Sequence, residues 1–168
     1  MNKYHLFYFF VIITILSCIE NPKGLTIQEA EKMGIFFDSL NVVYKSAVSV
    51  DTSNAVFKTE PDIEKAHIAY QNLLEEFSKF LTKKNFKWPF ATSCFQKIYF
   101  SEDGKIDYFL FNFLGEPPYK VTADQEMKFK SLLNIFIKVY KYPITANMKY
   151  SQCGTVVYGL KKDKLDSK

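Results

Sequence analysis

The stretch from Cys94 to Phe113, CFQKIYFSEDGKIDYFLFNF, limits the possible folds more than any other part of the chain. Two runs rich in aromatic and β-branched residues flank Ser101-Glu102-Asp103-Gly104. A glycine where a tight turn needs positive φ is the strongest short-range signature of a β-hairpin. Side chains alternate along a strand, so Cys94, Gln96, Ile98 and Phe100 share one side of the first strand, with Phe95, Lys97 and Tyr99 on the other. On the second strand Asp107, Phe109, Phe111 and Phe113 oppose Ile106, Tyr108, Leu110 and Asn112. Neither side of the second strand is plainly polar. Both faces of the hairpin are therefore expected to be at least half covered, one by helices and the other by loops or a partner.

Three amphipathic helices surround this hairpin in the sequence. Thr26-Ile27-Gln28-Glu29 is a capping box, and apolar residues recur at Ile27, Ala30, Met33, Phe37, Leu40 and Tyr44, which predicts one helix to about Ala47. Ser49 to Asn54 reads as loop, with a short strand near Ala55 to Lys58. Thr59-Glu60-Pro61-Asp62 opens a second helix, with proline in the first turn, where its missing N–H has no partner to lose. Its stripe is Ile63, Ala66, Tyr70, Leu73, Leu74, Phe77, Phe80 and Leu81, and Asn85 is placed for a left-handed cap. Thr122-Ala123-Asp124-Gln125 repeats the capping pattern for a third helix carrying Met127, Leu132, Leu133, Phe136 and Val139, stopped by Pro143. Met148 to Leu160 has the β-branched and aromatic content of a last strand, and residues 161–168 form a charged tail.

The N-terminus has the pattern of an export signal. One lysine, Lys3, precedes an apolar run from Leu6 to Leu16, too short to span a bilayer as a helix but of the length of a signal-peptide core. Directly after it, Ile15-Leu16-Ser17-Cys18 resembles the lipobox of bacterial lipoproteins, in which the cysteine becomes the lipidated N-terminus. The resemblance implies removal of residues 1–17, acylation of Cys18, and a location in the bacterial cell envelope, with the domain in the periplasm or at the cell surface. An ordinary cleaved signal, or an uncleaved anchor with Cys18 a bystander, is the competing reading. Residues 18–25, with Pro22 and Gly24 and no period, read as a tether, and 26–160 as one α+β domain whose sheet-forming part is 94–160.

With Cys18 assigned to lipid, Cys94 and Cys153 remain as an even pair in an oxidising compartment, and a disulfide between them is the leading expectation. It would close a loop of about 60 residues, worth on the order of 4 kcal/mol in the chain-entropy model. Two unpaired thiols are the alternative. A metal site is disfavoured, because two cysteines without a neighbouring histidine supply too few ligands.

Sequence chemistry beyond this is sparse. All 22 basic residues are lysine, so the planar bidentate fork best suited to phosphate and guanine is missing, and nucleic-acid binding is disfavoured. His67 lies one position off the stripe of the second helix with no nucleophile or carboxylate fixed near it. Glu75 and Glu76 are adjacent and point apart. Glu102 and Asp103 belong to a turn where Asp is favoured for local hydrogen bonds. No catalytic residues, metal or cofactor are expected. The one excess is aromatic: Tyr108, Phe109, Phe111 and Phe113 on the second hairpin strand are either core or a recognition surface.

From Phe95 onward the order is strand, turn, strand, helix, strand. A returning helix lets the last strand pair antiparallel with the first, which predicts a three-stranded antiparallel sheet with helices on one face. Here Ile98, Asp103, Gly104 and Ile106, with Tyr142-Pro143 after the helix, resemble the TonB C-terminal domain family. That resemblance implies a small exported domain whose sheet edge pairs with a strand of another envelope protein. The transmembrane helix and Pro-rich span of the family's energy transducers have no counterpart in this chain. The expected role is a lipid-anchored binding or assembly module, with a small envelope enzyme or inhibitor as the alternative.

Overall fold

The structure is a computed structural model that describes residues 22–160. At its centre β3 (Thr92–Phe100) and β4 (Ile106–Phe113) pair antiparallel, with Cys94 opposite Phe113 and Tyr99 opposite Tyr108. Gly104 takes φ +82° in the turn, and a Cβ there would lie 2.4 Å from the Tyr142 carbonyl oxygen. Only glycine fits both demands. A bulge follows: Phe100 pairs with Ile106 and the register shifts before Tyr99, leaving Asp107 as the extra residue. The alternation read along this strand therefore breaks at its first two residues. Ile106 is buried with Phe109 beneath the main helices, while the Asp107 carboxylate accepts a 2.7 Å hydrogen bond from the Tyr44 hydroxyl.

After α4 (Ala123–Val139) the chain returns as β5 (Tyr150–Tyr158), which pairs antiparallel with β3 and places Val156 opposite Cys94. The sheet is not the three-stranded antiparallel one expected. β1 (Lys23–Thr26) adds parallel to β4, and β2 (Lys45–Ser46) adds parallel to β5. The result is a five-stranded mixed sheet in the order β1-β4-β3-β5-β2. Both additions are too short for a period of two to show in sequence, and β1 contains a glycine. Tertiary contacts hold β1: the Gly24 N–H donates to Asn134 Oδ1 at 3.0 Å, and Asn134 Nδ2 donates back to the Gly24 carbonyl at 2.8 Å. Glycine is required here by proximity, because a Cβ would meet the Leu133 side chain at 2.9 Å. Residues 23–25, read as tether, are thus built into the sheet.

Helices cover both faces, which corrects the one-sided arrangement. On the first face α3 (Glu60–Lys83) and α4 bury Leu73, Phe77, Leu81, Phe129 and Leu133 against Ile98, Phe109 and Phe111. Phe129 touches the rings of Phe77, Phe111, Phe113 and Tyr158 at centroid distances of 5.0–5.7 Å, within the favourable range for aromatic pairs. On the second face α1 (Ile27–Lys32) and α2 (Phe37–Val43) cover Tyr99 and Leu110 with Ala30, Leu40 and Tyr44. The single N-terminal helix expected to Ala47 is broken at Gly34, which takes φ +76°. There Ile35 N–H bonds to the Ala30 carbonyl and Gly34 N–H to that of Glu31, the paired bonds of a Schellman ending. α3 closes in the same way at Asn85, with φ 56°.

Candidate functional site

The structure disperses the residues singled out in the sequence. Cys18 lies outside the described residues. Cys94 and Cys153 do not form the expected disulfide: both are free thiols, the first buried and the second exposed. The register explains this. Cys153 sits across from Lys97, and Cys94 across from Val156, so the two thiols point to opposite faces of the sheet. Burial pushes the Cys94 thiol well above its ordinary range.

The aromatic residues of β4 do not assemble a recognition surface. Phe109 and Phe111 are fully buried, and Phe113 packs on Trp88, Phe111 and Phe129. Tyr108 lies on the second face against Tyr44 and Tyr99, with the Lys23 ammonium 5.7 Å from its ring centre. The outer edge of β4 is occupied by β1. His67 is exposed on α3. Asp103 accepts hydrogen bonds from Lys105 and Ser101, which hold its carboxyl well below the usual carboxylate range, and it serves the turn. Among the described residues no group of three or more His, Cys, Asp or Glu could hold a metal ion, and no helix is long and apolar enough to cross a membrane.

What the fold does expose is the outer edge of β5. Among the described residues β2 pairs only with Tyr150 and Ser151, and Gln152 to Tyr158 continue without a neighbour on that side. The direction of the backbone groups follows from the bonds made. The carbonyls of Lys149 and Ser151 accept from Lys45 N–H and Ala47 N–H, so these odd-numbered positions face outward. The period of two then turns the N–H and C=O groups of Cys153, Thr155 and Val157 outward as well. The only bond found there among the described residues is a 3.4 Å contact from the Gln152 side chain to the Cys153 carbonyl.

Among the described residues this edge carries no charged or proline guard. From Tyr150 to Tyr158 there is neither a charged residue nor a proline, the devices that keep edge strands from pairing with other chains. The side chains of Cys153, Thr155 and Val157 are exposed on the second face, beside half-buried Ser93, Phe95 and Lys97, because the second-face cluster formed by α1 and α2 packs on Tyr99, Tyr108 and Leu110 and not on this part of β5. Lys97 itself is held by Asn41 Oδ1 at 2.7 Å and lies over the Phe37 ring. The sequence signal for this surface was present in the uncharged run SQCGTVVY, but its edge position depended on β2 stopping after two residues.

A second feature is a polar cleft of about 350 Å³ between the start of α1, the end of β4 and the start of α4, with Gln28, Asn112, Glu116, Lys120 and Glu126 among its lining residues. Comparison with known proteins gives no match to any family model, curated protein or solved structure.

Proposed function

We propose that this chain is an exported, lipid-anchored bacterial envelope protein that binds another envelope protein by strand addition at the outer edge of β5. The observation that carries the binding role is the uncharged edge from Gln152 to Tyr158, open among the described residues. Seven residues span about 24 Å at strand spacing, enough for a short guest strand to satisfy the outward N–H and C=O groups. The exposed Thr155 and Val157 side chains beside it would contact the flank of the same guest and set its preference for β-branched and aromatic residues. Export and anchoring rest on the apolar run and the lipobox-like Ile15-Leu16-Ser17-Cys18. The likeness to the TonB C-terminal domain implied pairing at a sheet edge; the proposal keeps that mode and puts it at β5, since β1 fills the side of β4.

The test uses Cys153, the exposed thiol, as the attachment point for a photoactivated crosslinker in native membranes. The expected result is one discrete adduct with an envelope protein, lost in Thr155→Pro. Proline removes an outward N–H while sparing the ladder to β3, so the fold should survive, as circular dichroism would show. No adduct, or an adduct unchanged in Thr155→Pro, refutes the binding proposal. The polar cleft supports a second reading, a site for a small polar ligand, which Thr155→Pro would leave untouched.

A further inference from the structure

The incorporation of β1 into the sheet determines how an anchored domain would sit on its membrane. Only residues 19–22 separate Cys18 from the first strand residue, Lys23. Five Cα steps at full extension cover about 18 Å. β4 alone, with eight residues, runs about 26 Å. The tether is therefore shorter than the strand to which its domain end is bonded. It has no slack to draw on, because Gly24 is clamped through both backbone groups by Asn134.

The pairing also says which end is held. Lys23 lies opposite Tyr108, at the start of β4 and next to the Ser101–Lys105 turn. β2 and β5 start at this same end, with Lys45 opposite Tyr150, and α4 finishes there, where Lys141 bridges to Lys105. The cleft and the Gly115 to Lys120 loop lie at the far end of β4. We infer that the turn end of the sheet faces the lipid surface that holds Cys18, and that the far end points away from it. This inference rests on the lipid-anchor reading proposed above.

The chemistry of the turn end suits a lipid headgroup layer. Asp103 is paired with Lys105 and Asp107 with Lys149, which leaves exposed Glu102 as the one turn acid without an ion pair among the described residues. Lys23 and Lys141, with no acidic partner among the described residues, are placed to meet anionic headgroups, with exposed Val139 two residues before Lys141; Lys45 and Met148 stand at the same end but on the β2–β5 side. The first turn of α3, with Glu60 and Asp62, approaches the same end through the bond from the Tyr142 hydroxyl to the Ala66 carbonyl. The lipid contact is accordingly assigned to the side of the end formed by β1, the turn and the end of α4. With the turn end against the membrane, β5 stands with its open edge running away from the surface, accessible to a partner along its length.

The experiment uses the full chain, processed in cells and reconstituted in vesicles of phosphatidylethanolamine and phosphatidylglycerol containing a lipid with a nitroxide headgroup. A fluorophore is placed at Glu102→Cys, in the turn, or at Glu116→Cys, at the far end, each in a Cys153→Ser background. The expected result is quenching at 102 and unchanged emission at 116. Inserting about 20 Gly and Ser residues after Ile19 should then abolish the difference, since such a linker behaves as a flexible coil. Intact mass is measured on the same samples. An unmodified Cys18 overturns the anchor and this inference together, whereas a lipidated Cys18 with equal quenching at the two positions overturns the orientation alone.

Discussion

The Asn134 side chain clamps β1 through both backbone groups of Gly24, and its removal is the sharpest test of the fold. Asn134→Ala deletes the two hydrogen bonds that grip Gly24, at 3.0 and 2.8 Å, and leaves the short strand to its pairing with β4. Each such bond contributes about 1 kcal/mol net, so the local closing free energy of β1 should fall by about 2 kcal/mol. At about 1.4 kcal/mol per decade, that is roughly a 30-fold rise in the open population of β1. Hydrogen exchange read by mass spectrometry would show it as an equal loss of protection in a peptide covering Lys23 to Thr26. Peptides from β3, paired on both sides by β4 and β5, should keep theirs. Unchanged protection in β1 would refute the claim that the asparagine clamp holds the strand. A loss shared equally by β3 would show that β1 opens only with the whole domain.

Two further outcomes follow from the side-chain arrangement. In the purified domain, alkylation should modify Cys153 at once and Cys94 only after unfolding, and a non-reducing digest should contain no Cys94–Cys153 crosslink; protection of both thiols would contradict the register of β5. Glu29→Gln keeps the capping box of α1 but removes the ion pair with Lys130. Burial raises the Glu29 pKa, yet the hydrogen bonds from Lys130 and Thr26 outweigh it and hold the carboxyl below its ordinary value. A depressed folded pKa gives stability that is present above the unfolded pKa and lost as pH falls through the folded one. The wild type should therefore exceed Glu29→Gln by about 0.5 kcal/mol at neutral pH, a value discounted for partial exposure, and the gap should close below pH 4.5 in denaturant titrations.

Much of this fold is written locally. Gly104 marks the hairpin because a left-handed turn residue is needed between two strand-forming runs, and the caps at Thr59, Thr122 and Asn85 end their helices through bonds to neighbours in sequence. The same periodicity that marks helices ran past Gly34, since apolar spacing continues through Met33 and Phe37 while the backbone between them turns. Placing Cys94 beside Cys153 failed for a related reason: parity along a strand can be counted, but which residue of β5 faces which of β3 is set by the docking of α4 and the return loop.

By itself the sequence determined the central hairpin and the two long capped helices. Tertiary structure alone decided that Lys23 to Thr26 is a strand that covers the side of β4, and that β5 beyond Ser151 is open among the described residues. The physical reason is range. Caps and turns draw their energy from residues three or four apart, whereas β1 is held by Asn134, 110 residues away, and an edge exists only relative to the neighbour that stops short of it.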